Sequence, residues 1–340
     1  VLIPAPAYRV FREAYRRGDG ETVLGTAQLV LDQLNIDERQ QGLRPAVWLM
    51  VGASLAAAER SADAVAYLEQ GLRELPGSAA TREVGEADWY ALTLLDLRLR
   101  LGRYQAAWSL VEVLIEPARR LETRLGATRA QLALDATFGR FETAHHLLNT
   151  AAGLADRLRN HQLLAMVDGD RAIVLAMQGR TVEAAAFADQ VLPSLTRPGR
   201  GAELTWSAAQ AVTIATTVAR HAATAGDAMT AERMLFLAAD PTERTDRRFD
   251  RGQLDLARGV VWREGGRLAE SEMALLEARR TFLALDCGPA AALAQREAAW
   301  LAAGRGLTAS ARPLFERARD EFAGLGLVRE AGELEAVLRH

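Results

Sequence analysis

The residues able to do chemistry in this sequence are few and scattered. There are five histidines, His145, His146, His161, His221 and His340, and a single cysteine, Cys287. In "FETAHHLL", Glu142 precedes His145 and His146 by three and four residues. On a helix that spacing sets two potential metal ligands on one face. No His-Glu-x-x-His motif or second cysteine completes the set, so these histidines are expected to be packed or solvated. Cys287, in "ALDCGPA", has no neighbouring base to activate it and reads as a small buried or loop thiol. "GRGLTAS" holds glycines and a serine but lacks the Gly-x-Ser-x-Gly elbow. No catalytic constellation, metal site or cofactor motif emerges, and the chain is expected not to be an enzyme.

Composition removes further classes. All 41 basic residues are arginine, spread along the 340-residue chain as a GC-rich genome would spread them. Without lysine there is no Walker phosphate loop, no Schiff-base chemistry and no lysine-dependent serine hydrolysis. A net charge of -3 gives no basic excess, so direct nucleic-acid binding by this segment is not expected. No apolar run approaches the ~18 residues of a membrane span, and "VLIPAPAYRVF" lacks the pattern of a signal peptide. One cysteine excludes an internal disulfide and leaves the cytoplasm as the default compartment. A chain opening on Val1 is expected to be a trimmed form or a piece of a longer protein.

What positions these residues is a repeat. Gly102 in "LGRYQAAWSLVEVL" is followed five residues later by Ala107, and the pairing recurs. It appears as Gly20 with Gly25, Gly139 with Ala144, Gly179 with Ala184, Gly226 with Ala231, Gly266 with Ser271 and Gly304 with Ala309. In one copy Glu59 replaces the glycine before Ala64. Nine residues after each anchor stand Leu29, Leu68, Val111, Leu148, Ala188, Leu235, Leu275 and Pro313. A helical hairpin explains the pattern: glycine tolerates the left-handed turn, and a small residue lets the second helix approach the first. First helices are predicted near 6–17, 43–57, 82–101, 117–136, 160–178, 202–224, 247–264 and 288–303. Their partners are predicted near 21–35, 62–75, 104–116, 142–157, 182–196, 228–239, 267–285 and 308–324, with a last helix near 327–339 as a cap. Pro45, Pro117 and Pro289 suit first helical turns. The breaker-rich 194–205 and the charged 238–252 around Pro241 are expected to be extended loops between repeats.

The copy "WLMVGASLAAAERSADAVAYLEQGLRELP" is the most telling, with Trp48, Val51, Gly52, Leu55, Ala64, Leu68 and Pro76 in register. It resembles the tetratricopeptide repeat, and Tyr104 and Phe141 match an aromatic often found after the turn. The spacing, nearer 40 residues than 34, is similar to the long, degenerate repeats in sensor domains of bacterial regulators, the maltose-activator/LuxR type and the antibiotic-regulatory type. Repeat arrays fused to caspase-like peptidases have the same flavour. The resemblance implies an all-α solenoid, a right-handed superhelix of about eight hairpins spanning 1–340 as one domain. It also implies a protein or peptide ligand in a groove lined by first helices, in a sensor or scaffold. The alternative it leaves open is a regulatory subunit of an enzyme complex.

First-helix residues that could read such a ligand are Arg98, Arg100, Arg129, Asp168 with Asp170 and Arg171, Arg220, and Arg258 with Trp262. Chaperone-tail clamps of this superfamily use lysine and asparagine, and peptide-pheromone receptors use asparagine. Here lysine is absent and asparagine occurs only at Asn35, Asn149 and Asn160. An arginine-lined groove suits acidic side chains, carboxylates or phosphates instead.

Overall fold

The computed structural model describes residues 6–36, 40–75, 87–116, 119–197 and 202–339, with side chains of the last segment from 207. Pro76, Pro117, His340 and residues 198–201 lie outside the described residues, as does the side chain of Trp206. Among the described residues there are seventeen α-helices and no strand. The chain divides into two compact units, residues 1–116 and 117–340.

The first unit holds three hairpins: α1 (Pro6–Arg16) with α2 (Gly20–Ile36), α3 (Arg44–Ala57) with α4 (Ser61–Glu74), and α5 (Ala87–Arg100) with α6 (Tyr104–Leu114). The second begins with α7 (Leu121–Thr137) and α8 (Phe141–Arg157), then α9 (His161–Met177) and α10 (Thr181–Leu195). It continues with α11 (Ala202–Thr224) and α12 (Ala228–Thr245), α13 (Arg248–Glu264) and α14 (Leu268–Ala284), and α15 (Gly288–Gly304) and α16 (Thr308–Gly324). A last helix, α17 (Val328–Leu338), ends it. No helix among the described residues is long and apolar enough to cross a membrane.

Each hairpin turns on one residue in the left-handed region. Gly102 has φ +71°, and the turn closes with the Arg103 N–H donating to the Arg98 carbonyl at 2.8 Å. Where the glycine is lost, Glu59 takes φ +57° itself. At the first and last hairpins the left-handed residues are Gly18 and Gly306, not the expected anchors Gly20 and Gly304. With this correction the contact positions five residues on become Val23 and Ala311, and both are buried like Ala64, Ala107, Ala144, Ala184, Ala231 and Ser271.

These small residues set the separation of the helices. A Cβ on Gly52 would lie 2.7 Å from Cγ of Leu68, and one on Gly71 would lie 2.6 Å from Cγ of Leu49, so α3 and α4 interlock in both directions. Trp48 and Tyr67 pack beside this contact with ring centroids 5.3 Å apart. Where the small residue is Ser271, its hydroxyl donates to the Gly259 carbonyl at 2.7 Å and stays satisfied in the core.

One expected loop is helical. The 238–252 segment continues α12 through Pro241 to Thr245, and α13 begins at Arg248, leaving a two-residue link. Pro241 is buried, and the Thr242 and Thr245 hydroxyls donate to the Ala238 and Thr242 carbonyls at 2.7 and 3.0 Å. Core packing and these bonds offset the missing N–H, and the helix stops only at Asp246, at φ +50°. Pro45 and Pro289 do sit in first helical turns.

In the second unit, one side chain of α17 reaches the opening hairpin. The Arg329 guanidinium sits over the Phe141 ring, 5.9 Å from its centroid, and its Nη1 comes within 2.9 Å of where a Gly139 Cβ would be.

Arg159, exposed and at φ +51°, carries the left-handed cost of about 1 kcal/mol that glycine avoids. Arg159→Gly is expected to raise the urea midpoint accordingly. Ala184→Leu, at a fully buried contact position, is expected to lose about 1–3 kcal/mol in the same measurement.

Candidate functional site

The first helices of the second unit are joined side by side through polar side chains one repeat apart. Arg129 on α7 donates through Nε and Nη2 to the Asp170 carboxylate on α9, at 2.5 and 3.0 Å. It also donates to the Gln210 side-chain carbonyl on α11, and the Gln210 amide returns a 2.7 Å bond to Asp170. Thr213 on α11 donates to Gln253 on α13 at 3.2 Å. Arg263 on α13 donates from Nη1 to Glu297 on α15 at 2.7 Å. Residues 129, 170 and 210 are separated by 41 and 40 positions, so one point of the hairpin carries this bonding from helix to helix. Bonds between first helices hold their spacing and lay a polar stripe along that wall.

At the turn end of the same helices is a cleft of about 760 Å³. Its walls come from Thr224 on α11, Arg263 and Glu264 on α13, residues 296–304 of α15, and Glu333, Leu334 and Val337 on α17. Trp300 is its aromatic face, 39% exposed and held edge-on by Phe315 at 4.9 Å between centroids. Glu297 is the buried anion. Burial pushes its carboxyl up, but the guanidiniums of Arg296 and Arg263 outweigh that and bring it down to about 2. His221 is pushed down to about 3, first by burial and then by the positive charges of Arg220 and Arg296. Burial also lowers the Arg220 guanidinium to about 10, against the attraction of Glu297. At neutral pH the ionised Glu297 and the charged arginines of the cleft therefore have an uncharged His221 near them. None of the three shifted groups titrates near pH 7, where an acid–base catalyst would.

The sequence-derived candidates fall into three groups. Arg129, with Asp170, forms the stripe, and Arg220 lies beside the cleft residues. Asp168 and Arg171 pair with each other at 3.8 Å, with Arg171 over the Phe187 ring at 5.4 Å. The others do not join them. Arg98 is tied to Glu69 at 2.9 Å and the Ala106 carbonyl at 2.8 Å in the first unit, and Arg100 pairs with Asp96. Arg258 pairs with Asp255, and Trp262 is covered by the Arg267 guanidinium at 4.7 Å.

Arg263, Arg296, Glu297 and Trp300 escaped the sequence reading. The available signal was charge and an aromatic recurring in the last two turns of consecutive first helices. The His145 Nε2–H donates a 3.0 Å bond to the Gln178 side-chain carbonyl, and Cys287 is buried just before α15. Among the described residues no group of three or more His, Cys, Asp or Glu could hold a metal ion.

With this geometry in hand, solved structures give the comparison. A Rap conjugation gene regulator of the plasmid pLS20, in complex with the Phr* peptide, superposes with a TM-score of 0.63 at 10% identity, covering 96% of each chain. A Rap protein complexed with Competence and Sporulation Factor gives 0.56 at 11% identity, covering 98% of this chain and 95% of that one. The fold is a tetratricopeptide-like α-solenoid. No protein-family model matches the chain, and no curated protein matches it in sequence.

Removing Asp170 takes the only carboxylate from Arg129, which is only 19% exposed and keeps just the Gln210 carbonyl, so Asp170→Ala is expected to cost about 3 kcal/mol in urea unfolding. Asp170→Asn, which keeps an acceptor, should cost less. Acid adds a second effect with a defined sign. His221 and Glu297 both have folded pKa values below their ordinary 6.5 and 4.5, so their contributions are complete above those values and fade as pH falls towards about 3 and 2. Melting temperature should fall progressively below pH 6.5. His221→Gln should flatten the curve between about pH 6.5 and 4.5 and leave the steeper acid limb from Glu297.

Proposed function

We propose that residues 1–340 act as one non-enzymatic binding array, the sensor or scaffold part of a cytoplasmic bacterial regulator, which takes an extended peptide or protein segment. The observation that carries this is the cleft beside the polar stripe. Fixed charges and an exposed, braced tryptophan lie together at the ends of successive first helices. Tryptophan and arginine in such settings supply most of the energy of peptide recognition. Of two proteins that share the fold, one is a conjugation gene regulator solved with a peptide and the other was solved with Competence and Sporulation Factor, which supports the same use of the array here. The non-enzymatic reading draws on the protonation pattern, which is fixed for recognition and not poised for proton transfer. Occupancy would be transmitted as a small population shift in the packing of neighbouring hairpins.

Selection of a displayed random-peptide library on the immobilised full chain tests this. Enriched peptides are expected to protect amides at the C-terminal ends of α13 and α15 in hydrogen exchange. Trp300→Ala is expected to weaken those peptides about tenfold, some 1.4 kcal/mol. Failure to enrich any sequence, or protection confined to other helices, would remove the proposal.

A further inference from the structure

Second helices of the later hairpins carry large apolar side chains into solvent. On α12, Met229 and Phe236 are each 81% exposed, and on α14, Met273, Leu276 and Leu283 are 65%, 69% and 53% exposed. Within each helix these residues share one face. The register between neighbouring second helices is marked by an ion pair. Arg233, seven residues after the left-handed Gly226, meets Asp189, ten residues after the left-handed Gly179. The same register sets Met273, seven after Gly266, beside Phe236, ten after Gly226. It also sets the exposed Pro313, seven after Gly306, beside Leu276, ten after Gly266. An apolar ridge therefore crosses α12, α14 and α16.

At about 150–200 Å² for a fully bare residue of this size, the five side chains on α12 and α14 leave roughly 600 Å² in water. Monomers rarely keep so large an apolar patch uncovered, and a standard interface takes about 800 Å² from each partner. The charges beside the ridge are mostly paired within it. Arg280 meets Glu277 at 2.7 Å, Arg312 meets Glu316 at 3.1 Å, and Arg305 meets Glu272. These pairs leave little net charge to draw a strongly charged partner. Two exposed charges flanking the ridge have no hydrogen bond or ion pair among the described residues, and they are opposite in sign: Glu232 on α12 and Arg317 on α16.

We infer that this face seats a second copy of the chain in an antiparallel, two-fold contact centred on α14. A two-fold axis passing between Met273 and Leu276 lays Met273 of one copy on Leu276 of the other. It also exchanges α12 with α16. Positions then meet when their distances from their left-handed glycines add to the same value, which is seventeen for Met273 with Leu276. Phe236 with Pro313 satisfies that condition, and so does Glu232 with Arg317. Each pairing occurs twice, with apolar contacts in the middle and an ion pair at either edge, as in other protein interfaces. An unrelated protein would have to present an acid and a base at this spacing, whereas an identical copy does so by symmetry. Nothing in this contact depends on the peptide reading, since the cleft is built largely from first helices and α17.

Sedimentation equilibrium of the full chain in the micromolar range tests this, with far-ultraviolet circular dichroism as the check on folding. A mass of twice 36.9 kDa is expected. Leu276→Glu, at an exposed position, is expected to give a monomer with unchanged circular dichroism. Glu232→Arg sets two arginines together at each edge and is expected to weaken association about tenfold. Adding Arg317→Glu to the same chain is expected to restore it. A chain that stays monomeric would overturn the inference and leave the face to a different protein. A dimer untouched by Leu276→Glu, or a charge exchange that restores nothing, would overturn it as well.

Discussion

Everything in this fold depends on how closely two helices can approach just after a tight turn. A residue with positive φ reverses the chain, and five positions later a side chain no larger than valine meets the preceding helix. The approach is close enough that Gly259 leaves only 2.5 Å between a would-be Cβ and Leu275, and Gly52 is similarly tight against Leu68. Because this contact recurs in every hairpin, equivalent positions on successive first helices fall into line. The stripe from Arg129 through Asp170 to Gln210 exists only because that alignment holds.

The stripe and the cleft use the same residue type for opposite purposes. In the stripe each charge has a partner: Arg129 meets a carboxylate and an amide carbonyl, and the group is closed on itself. Such a closed set specifies geometry more than it adds stability. In the cleft the pairing is looser, since Arg263 and Arg296 share Glu297 and Nη1 of Arg296 has no hydrogen bond among the described residues. The first arrangement holds helices and the second is free to hold something else. The distinction rests on partners and burial, not on residue identity.

The fold was legible in the sequence because its rule is local. A glycine or its substitute and a small residue at fixed spacing define each hairpin, and even Glu59 could be placed by register. The two misplaced anchors arose where "GDG" and "GRG" each offer two glycines, and only backbone torsion distinguishes Gly18 from Gly20 or Gly306 from Gly304. Pro241 misled for a related reason: as a residue it signals a break, but burial against neighbouring helices overrides it. The site was less legible. Arg220 was a candidate in the sequence and lies near Glu297, but Arg263, Arg296, Glu297 and Trp300 gain meaning only when the ends of different helices meet. Arg98 looked equally promising in sequence, yet its Nη1 and Nη2 are taken by the Ala106 carbonyl and Glu69.

The contact of Arg329 with Gly139 and Phe141 gives the second unit a property that open arrays lack. In an open array each repeat feels only its neighbours, so ends fray independently and stability is a sum of adjacent terms. Here residues about 190 positions apart in sequence touch, and the helix that touches also walls the cleft. Loosening the last helix therefore disturbs the opening hairpin and the cleft together. The unit gains a long-range coupling, at the entropic cost of closing a large loop. Its behaviour under load is that of a clasped bracelet, whose links can shift only as far as the fastening permits.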